Sequence, residues 1–146
     1  IVAGHGIASG KTVDARFPRG TLAMQSPFFR ALGLDLSNFH KGTLNLSVYP
    51  CAFSLGKPLY FFPKVKWSPS LPPENFSFFS CDLQLPGEKL AYSSLIYWPH
   101  PSTKPEFHQD PHVIEVIAPF IDMAAYGLEV EISCLASTFR FFLPDE

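Results

Sequence analysis

Three histidines, His100, His108 and His112, fall within thirteen residues, with Glu106 and Asp110 between them. Imidazole and carboxylate groups hold a metal when they converge to about 2.0–2.2 Å. This spacing matches no established ligand pattern, and the prolines from Pro99 to Pro111 make the stretch a long surface loop of the kind that often carries function. Gly10-Lys11-Thr12 has the look of the tail of a phosphate-binding Walker loop. The first glycine of that motif would fall where His5 stands, and Phe17-Pro18-Arg19-Gly20 interrupts the helix that should follow. No nucleophile elbow and no CxxC occurs. Cys51, Cys81 and Cys134 are odd in number, fit no zinc spacing and sit beside apolar residues. They read as reduced, buried thiols of a cytosolic protein.

The most informative pair is Thr43 and Asn45, two residues apart in Gly42-Thr43-Leu44-Asn45-Leu46. Polar and apolar residues alternate from Thr43 to Tyr49, which predicts a half-buried strand. Residues two apart on a strand share a face. Leu44 and Leu46 therefore turn to the core, and a hydroxyl and an amide emerge side by side on the other face.

The elements that must position this pair follow from the pattern. Ile1 to Gly10 reads as a strand running into a Gly-rich turn, and Lys11 to Gly20 as a loop. Thr21 to Met24 reads as a short strand. Ser26 as N-cap, Pro27 at the first helical position and Gly33 past the end predict a short helix with Phe28, Phe29 and Leu32 on its apolar face. Strands are expected over Leu59–Trp67, Phe76–Leu85, Tyr92–Trp98 and His112–Ala118, with a hairpin turn at Pro86-Gly87-Glu88. Pro119 to Tyr126 reads as a second short helix. Leu128–Cys134 and Thr138–Leu143 read as a closing hairpin. Seven or eight short strands with two small helices suit a small barrel better than a βαβ fold.

Composition agrees. Of 146 residues, 47% are hydrophobic and 16% charged, which excludes a disordered chain; 15 Pro and 15 Phe favour short elements around an aromatic core. The length suits one domain, 1–146, able to bury about two thirds of its surface. A net charge of −2 with no basic stripe argues against nucleic acid as a partner. No apolar run approaches a membrane span and no Lys/Arg-led leader is evident, so the expected setting is cytoplasmic, away from membranes.

Three segments resemble the archaeal CTP-dependent riboflavin kinases. Leu32-Gly33-Leu34-Asp35 running on to Gly42-Thr43-Leu44-Asn45-Leu46 is close to the family's LGF-x-P-x-x-GTLN-L pattern. Val113-Ile114-Glu115-Val116-Ile117-Ala118-Pro119 is close to its IEIIAP pattern, and Gly127 to Ile132 is like its GD-x-V-x-I ending. The Gly-rich start is a looser match. The resemblance implies a closed cradle-loop barrel of six to eight strands with two short helices. It implies magnesium-dependent phosphoryl transfer from a nucleotide, CTP, to a flavin-like small alcohol.

By that resemblance Thr43 and Asn45 hold Mg²⁺ and the nucleotide phosphates, and both offer the hard oxygens Mg²⁺ takes. Gly4, Gly6 and Gly10, with Lys11, would cradle phosphates through backbone N–H groups. Glu115 would orient or deprotonate the acceptor hydroxyl. Two further readings stay open: a non-catalytic small-molecule-binding barrel of the same fold, and a protein-interaction domain or homodimer using Phe61, Phe62, Phe139, Phe141 and Phe142, since consecutive aromatics cannot all face one core.

Overall fold

The computed structural model describes residues 21–40, 42–69, 71–100, 112–121 and 127–144. The expected first strand, the Gly-rich turn and most of the expected second helix lie outside them. The elements are α1 (Thr21–Ala31), β1 (Leu44–Ser47), β2 (Ala52–Leu55), β3 (Tyr60–Val65), β4 (Glu74–Gln84), β5 (Tyr92–Pro99), β6 (Val113–Ile117), β7 (Glu131–Ser133) and β8 (Phe139–Phe142). None is a helix long and apolar enough to cross a membrane.

Helix α1 starts where a strand was expected, and Ser26 does not cap it. Ser26 sits mid-helix, its Oγ donating to the Leu22 carbonyl at 2.7 Å. Pro27 lies inside the helix, without the N–H that would close onto the Ala23 carbonyl, an interior position that costs about 3 kcal/mol. Leu22 and Phe29 are 1% and 0% exposed. Burying two such side chains contributes roughly 3–6 kcal/mol, which offsets the proline. The buried face is therefore Leu22-Gln25-Phe29, and the expected face residues Phe28 and Leu32 are exposed.

The end of the helix is as the glycine foretells. Gly33 has φ +106°, Leu34 N donates to Phe29 O at 2.9 Å and Gly33 N to Arg30 O at 3.1 Å. This is a Schellman cap.

The strands form a six-stranded antiparallel sheet in the order β1-β6-β5-β4-β3, with β7 also on β4, and a two-stranded sheet, β2-β8. The long β4 pairs with β5 along one edge. Along its other edge lie β3, over Glu74–Phe78, and then β7, over Asp82–Gln84. Pro63 is tolerated because β3 is an edge strand with a register shift between Phe62 and Val65.

Period-2 alternation gives the sheet two buried faces. Phe76, Phe78, Leu95, Tyr97 and Ile117 meet α1 on one. Phe29 wedges there against Phe76 and Phe78, ring centroids 5.0 Å from each. Phe79, Cys81, Leu83, Ile96, Ile114 and Val116 build the other, closed by Phe53 and Phe139 stacked at 5.2 Å.

Two expectations of topology change. Leu128–Cys134 and Thr138–Leu143 do not make a hairpin: β7 pairs with β4 and β8 with β2. Each run has one apolar face, but Ile132 and Phe139 find better-matched partners on different strands than on each other. The architecture is β-rich and antiparallel, yet no closed barrel is found among the described residues, because β1 and β3 lie at opposite ends of the strand path.

Candidate functional site

Strand β1 pairs with β6 in the register Leu44↔Val116, Asn45↔Glu115 and Leu46↔Ile114. Leu46, Ile114 and Val116 drop into the core that β2 and β8 close. Asn45 and Glu115 therefore stand directly opposite each other on the other face, where antiparallel neighbours have Cβ atoms about 4.5–5.5 Å apart. One step before β1, Thr43 Oγ1 donates to Glu115 Oε1 at 3.1 Å. The three side chains come from positions 72 and 70 residues apart in the chain and meet at one edge of the sheet, all half-buried. The pair does not point away from all packing: it faces the α1 side of the sheet, because that sheet buries both faces.

The turn into β1 is tied to the exit of β6. His40 N donates to Ala118 O at 2.9 Å, and the His40 ring lies 5.5 Å from that of Phe120, an exposed aromatic. Gly42, the first residue of the Gly-Thr-Leu-Asn segment, is buried. Beside this turn, α1 and the segment after it enclose a cavity of about 510 Å³ whose polar lining is Ser26, Arg30, Asp35, Ser37 and His40. Ser37 N donates to Asp35 Oδ1 at 2.9 Å, and that bond holds the Asp35 carboxyl below its ordinary range. A second cleft, of about 400 Å³ between the β4–β5 turn and β7, carries Glu88, Glu129 and Glu131. Three carboxylates repel a polyphosphate, so the first cavity suits an anionic ligand better.

Behind the site, Tyr97 stands opposite Glu115 on β5. Complete burial, and then the charges of Glu115 and Glu74, push its phenol well above the ordinary value. It stays protonated and donates to Gln25 Oε1 at 2.6 Å. That bond locks α1 over the face that presents Glu115.

Of the three histidines, His100 and His112 are described, and each has its own separate partner. His100 Nε2 is 2.7 Å from Ser77 Oγ, and burial lowers its pKa. Ser77 is only 3% exposed, too enclosed to act on a substrate as a nucleophile. His112 Nδ1 lies 3.0 Å from the Cys51 carbonyl. Among the described residues no group of three or more His, Cys, Asp or Glu is arranged to hold a metal ion. Glu106, His108 and Asp110 lie outside the described residues, as do Gly4, Gly6, Gly10 and Lys11 of the expected phosphate cradle.

The sequence singles out Thr43, Asn45 and Glu115, which the β1–β6 register brings together, and does not single out His40, Arg30 or Tyr97. His40 carried a weak signal, an aromatic cation-former two residues before a Gly-Thr turn. Tyr97 carried none, because its role depends on β5 lying between β6 and α1. Comparison with protein-family models, with curated proteins and with solved structures finds no match.

Proposed function

We propose that the chain is a magnesium-dependent phosphotransferase that moves the terminal phosphoryl group of a nucleotide, CTP, onto a flavin-like alcohol in the cytoplasm, on a β-rich frame of the cradle-loop barrel kind. The observation that carries this reading is the convergence of Thr43, Asn45 and Glu115 on one edge of the sheet. A hydroxyl, an amide and a carboxylate supply three hard oxygens, the donor set Mg²⁺ takes while keeping phosphates and waters in its shell.

Thr43 Oγ1 donates its hydrogen bond to Glu115, which leaves the lone pairs of that oxygen available as acceptors. Thr43 Oγ1 and the Asn45 side-chain oxygen would hold the cation, which neutralises charge building on the phosphate oxygens when bound. Glu115 accepts hydrogen bonds, so it orients the acceptor hydroxyl and takes its proton as the oxygen attacks the terminal phosphorus and the nucleoside diphosphate leaves. Arg30 and His40 line the cavity beside α1, whose lining does not include Thr43, Asn45 or Glu115, and they offer donors to an anionic or aromatic substrate group.

The aromatic pairs weigh against a docking surface. Phe62 and Phe139 are buried in the two cores, while Phe61 is exposed. Phe141 and Phe142 are half-buried, so of the five aromatics only Phe61 is exposed.

Thermal melting with CTP and MgCl₂, followed by turnover of riboflavin, tests the reading. A melting increase that Asn45→Ala abolishes, with turnover lowered more than binding by Glu115→Gln, is the expected result. No melting shift and no phosphorylated flavin would sink it.

A further inference from the structure

The register of β4 and β7 leads toward two thiols, one in β4 and one just past the end of β7. Asp82 pairs with Ser133, Leu83 with Ile132 and Gln84 with Glu131. Continued one step beyond its last pair, that register would set Cys81 of β4 against Cys134, the residue that follows β7. Directly opposed residues on antiparallel strands have Cα atoms about 4.5–5.5 Å apart and share a face, inside the 4.4–6.8 Å window of a disulfide. Both thiols belong to the same apolar cluster, and both are free. Burial first, and then the neighbouring Cys134, raise the Cys81 thiol, which agrees with the two lying close together. Cys51 lies beyond β1, hydrogen-bonded through its backbone to Val48 and His112.

We propose that Cys81 and Cys134 form a redox modification site, converted by peroxide to a cross-strand disulfide that fastens β7 to β4. Cys134 is the half-buried member and Cys81 the buried one, so peroxide meets Cys134 first. The Cys134 thiolate attacks one peroxide oxygen, the O–O bond breaks, and a sulfenic acid and hydroxide result. The Cys81 sulfur then attacks the Cys134 sulfur. The S–S bond forms, the S–O bond breaks, and water leaves with the Cys81 proton. Two thiols lose two electrons and two protons, and one peroxide becomes two waters. Burial lifts both thiols above their ordinary range, which keeps thiolate scarce and the reaction slow at neutral pH. The site therefore responds to sustained rather than brief oxidant.

The folded chain is treated with hydrogen peroxide, quenched, denatured and alkylated with N-ethylmaleimide, then weighed intact and mapped without reduction. The three cysteines take three maleimides before oxidation. After it the expected product takes one, on Cys51, shows a peptide joining Cys81 to Cys134, and melts several degrees higher. Dithiothreitol restores three maleimides. Cys134→Ser retains both remaining thiols under the same treatment, and Cys51→Ser loses both of its thiols. The wild-type peptide map decides the matter whether or not the variants fold. Three maleimides after oxidation, a bond to Cys51, or oxygen adducts in place of a bond would overturn the proposal.

Discussion

The bond from Thr43 to Glu115 is the narrowest point at which fold and proposed chemistry meet, and a double-mutant cycle isolates it. Thr43→Val is nearly isosteric and removes only the hydroxyl. Glu115→Ala removes the acceptor. The two groups are 3.1 Å apart and half-buried. A hydrogen bond to a charged group contributes about 1.5–3 kcal/mol when enclosed. Solvent on the open side reduces that to about 1 kcal/mol. Unfolding entropy near 2.1 cal/mol/K per residue, over 146 residues, converts 1 kcal/mol into a melting shift of about 3 °C. Urea unfolding of the parent, both single variants and the double variant should therefore give a coupling energy of about 1 kcal/mol. Effects that add within about 0.3–0.5 kcal/mol would refute a bond between these side chains. The ligand arm is larger. CTP–Mg at one hundred times its dissociation constant stabilises the parent by about 2.7 kcal/mol, close to 9 °C on the same scale. Thr43→Val should lose most of that shift while its ligand-free melting falls only about 3 °C, and Thr43→Ser should keep it.

Gly56→Ala should destabilise by roughly 1–3 kcal/mol in urea unfolding, the usual cost of forced overpacking. A Cβ at Gly56 would meet Ser137 O and Thr138 O of the turn into β8, which are backbone atoms and cannot swing aside, so an unchanged midpoint would contradict the β2–β8 packing. Stability should also fall at alkaline pH. Burial, and then Asp82, lifts the Cys134 thiol from its ordinary 9.0 to about 11. A raised folded-state pKa contributes stability that is complete below the unfolded value and is lost as pH climbs through the folded one. Melting temperatures should thus decline between pH 9 and 11, and the decline should be shallower in Cys134→Ser; equal slopes would remove Cys134 as a cause.

What the residues fixed on their own is local. Alternation from Thr43 to Tyr49 set Leu46 and Asn45 on opposite faces before any partner strand was known, because a strand's side chains have period two. Gly33 marked the helix end, since a left-handed residue is cheapest without a Cβ. The strands over 59–67, 76–85, 92–98 and 112–118 were legible for the same reason. Ser26 and Pro27 misled, because local capping preference is worth about 1 kcal/mol and the burial of Leu22 and Phe29 outweighs it. Strand β2 was overlooked: Ala52–Leu55 has no fully buried residue to mark it. Partnership was the business of the tertiary structure alone. The alternation of 128–134 and 138–143 says that each run has an apolar face, yet nothing in it says that β7 goes to β4 and β8 to β2. The same is true of the site. Glu115 was readable as a carboxylate on a strand, but only the β1–β6 register brings it against Asn45 and within reach of Thr43. Long-range pairing depends on the whole set of competing surfaces, which no short stretch of chain contains.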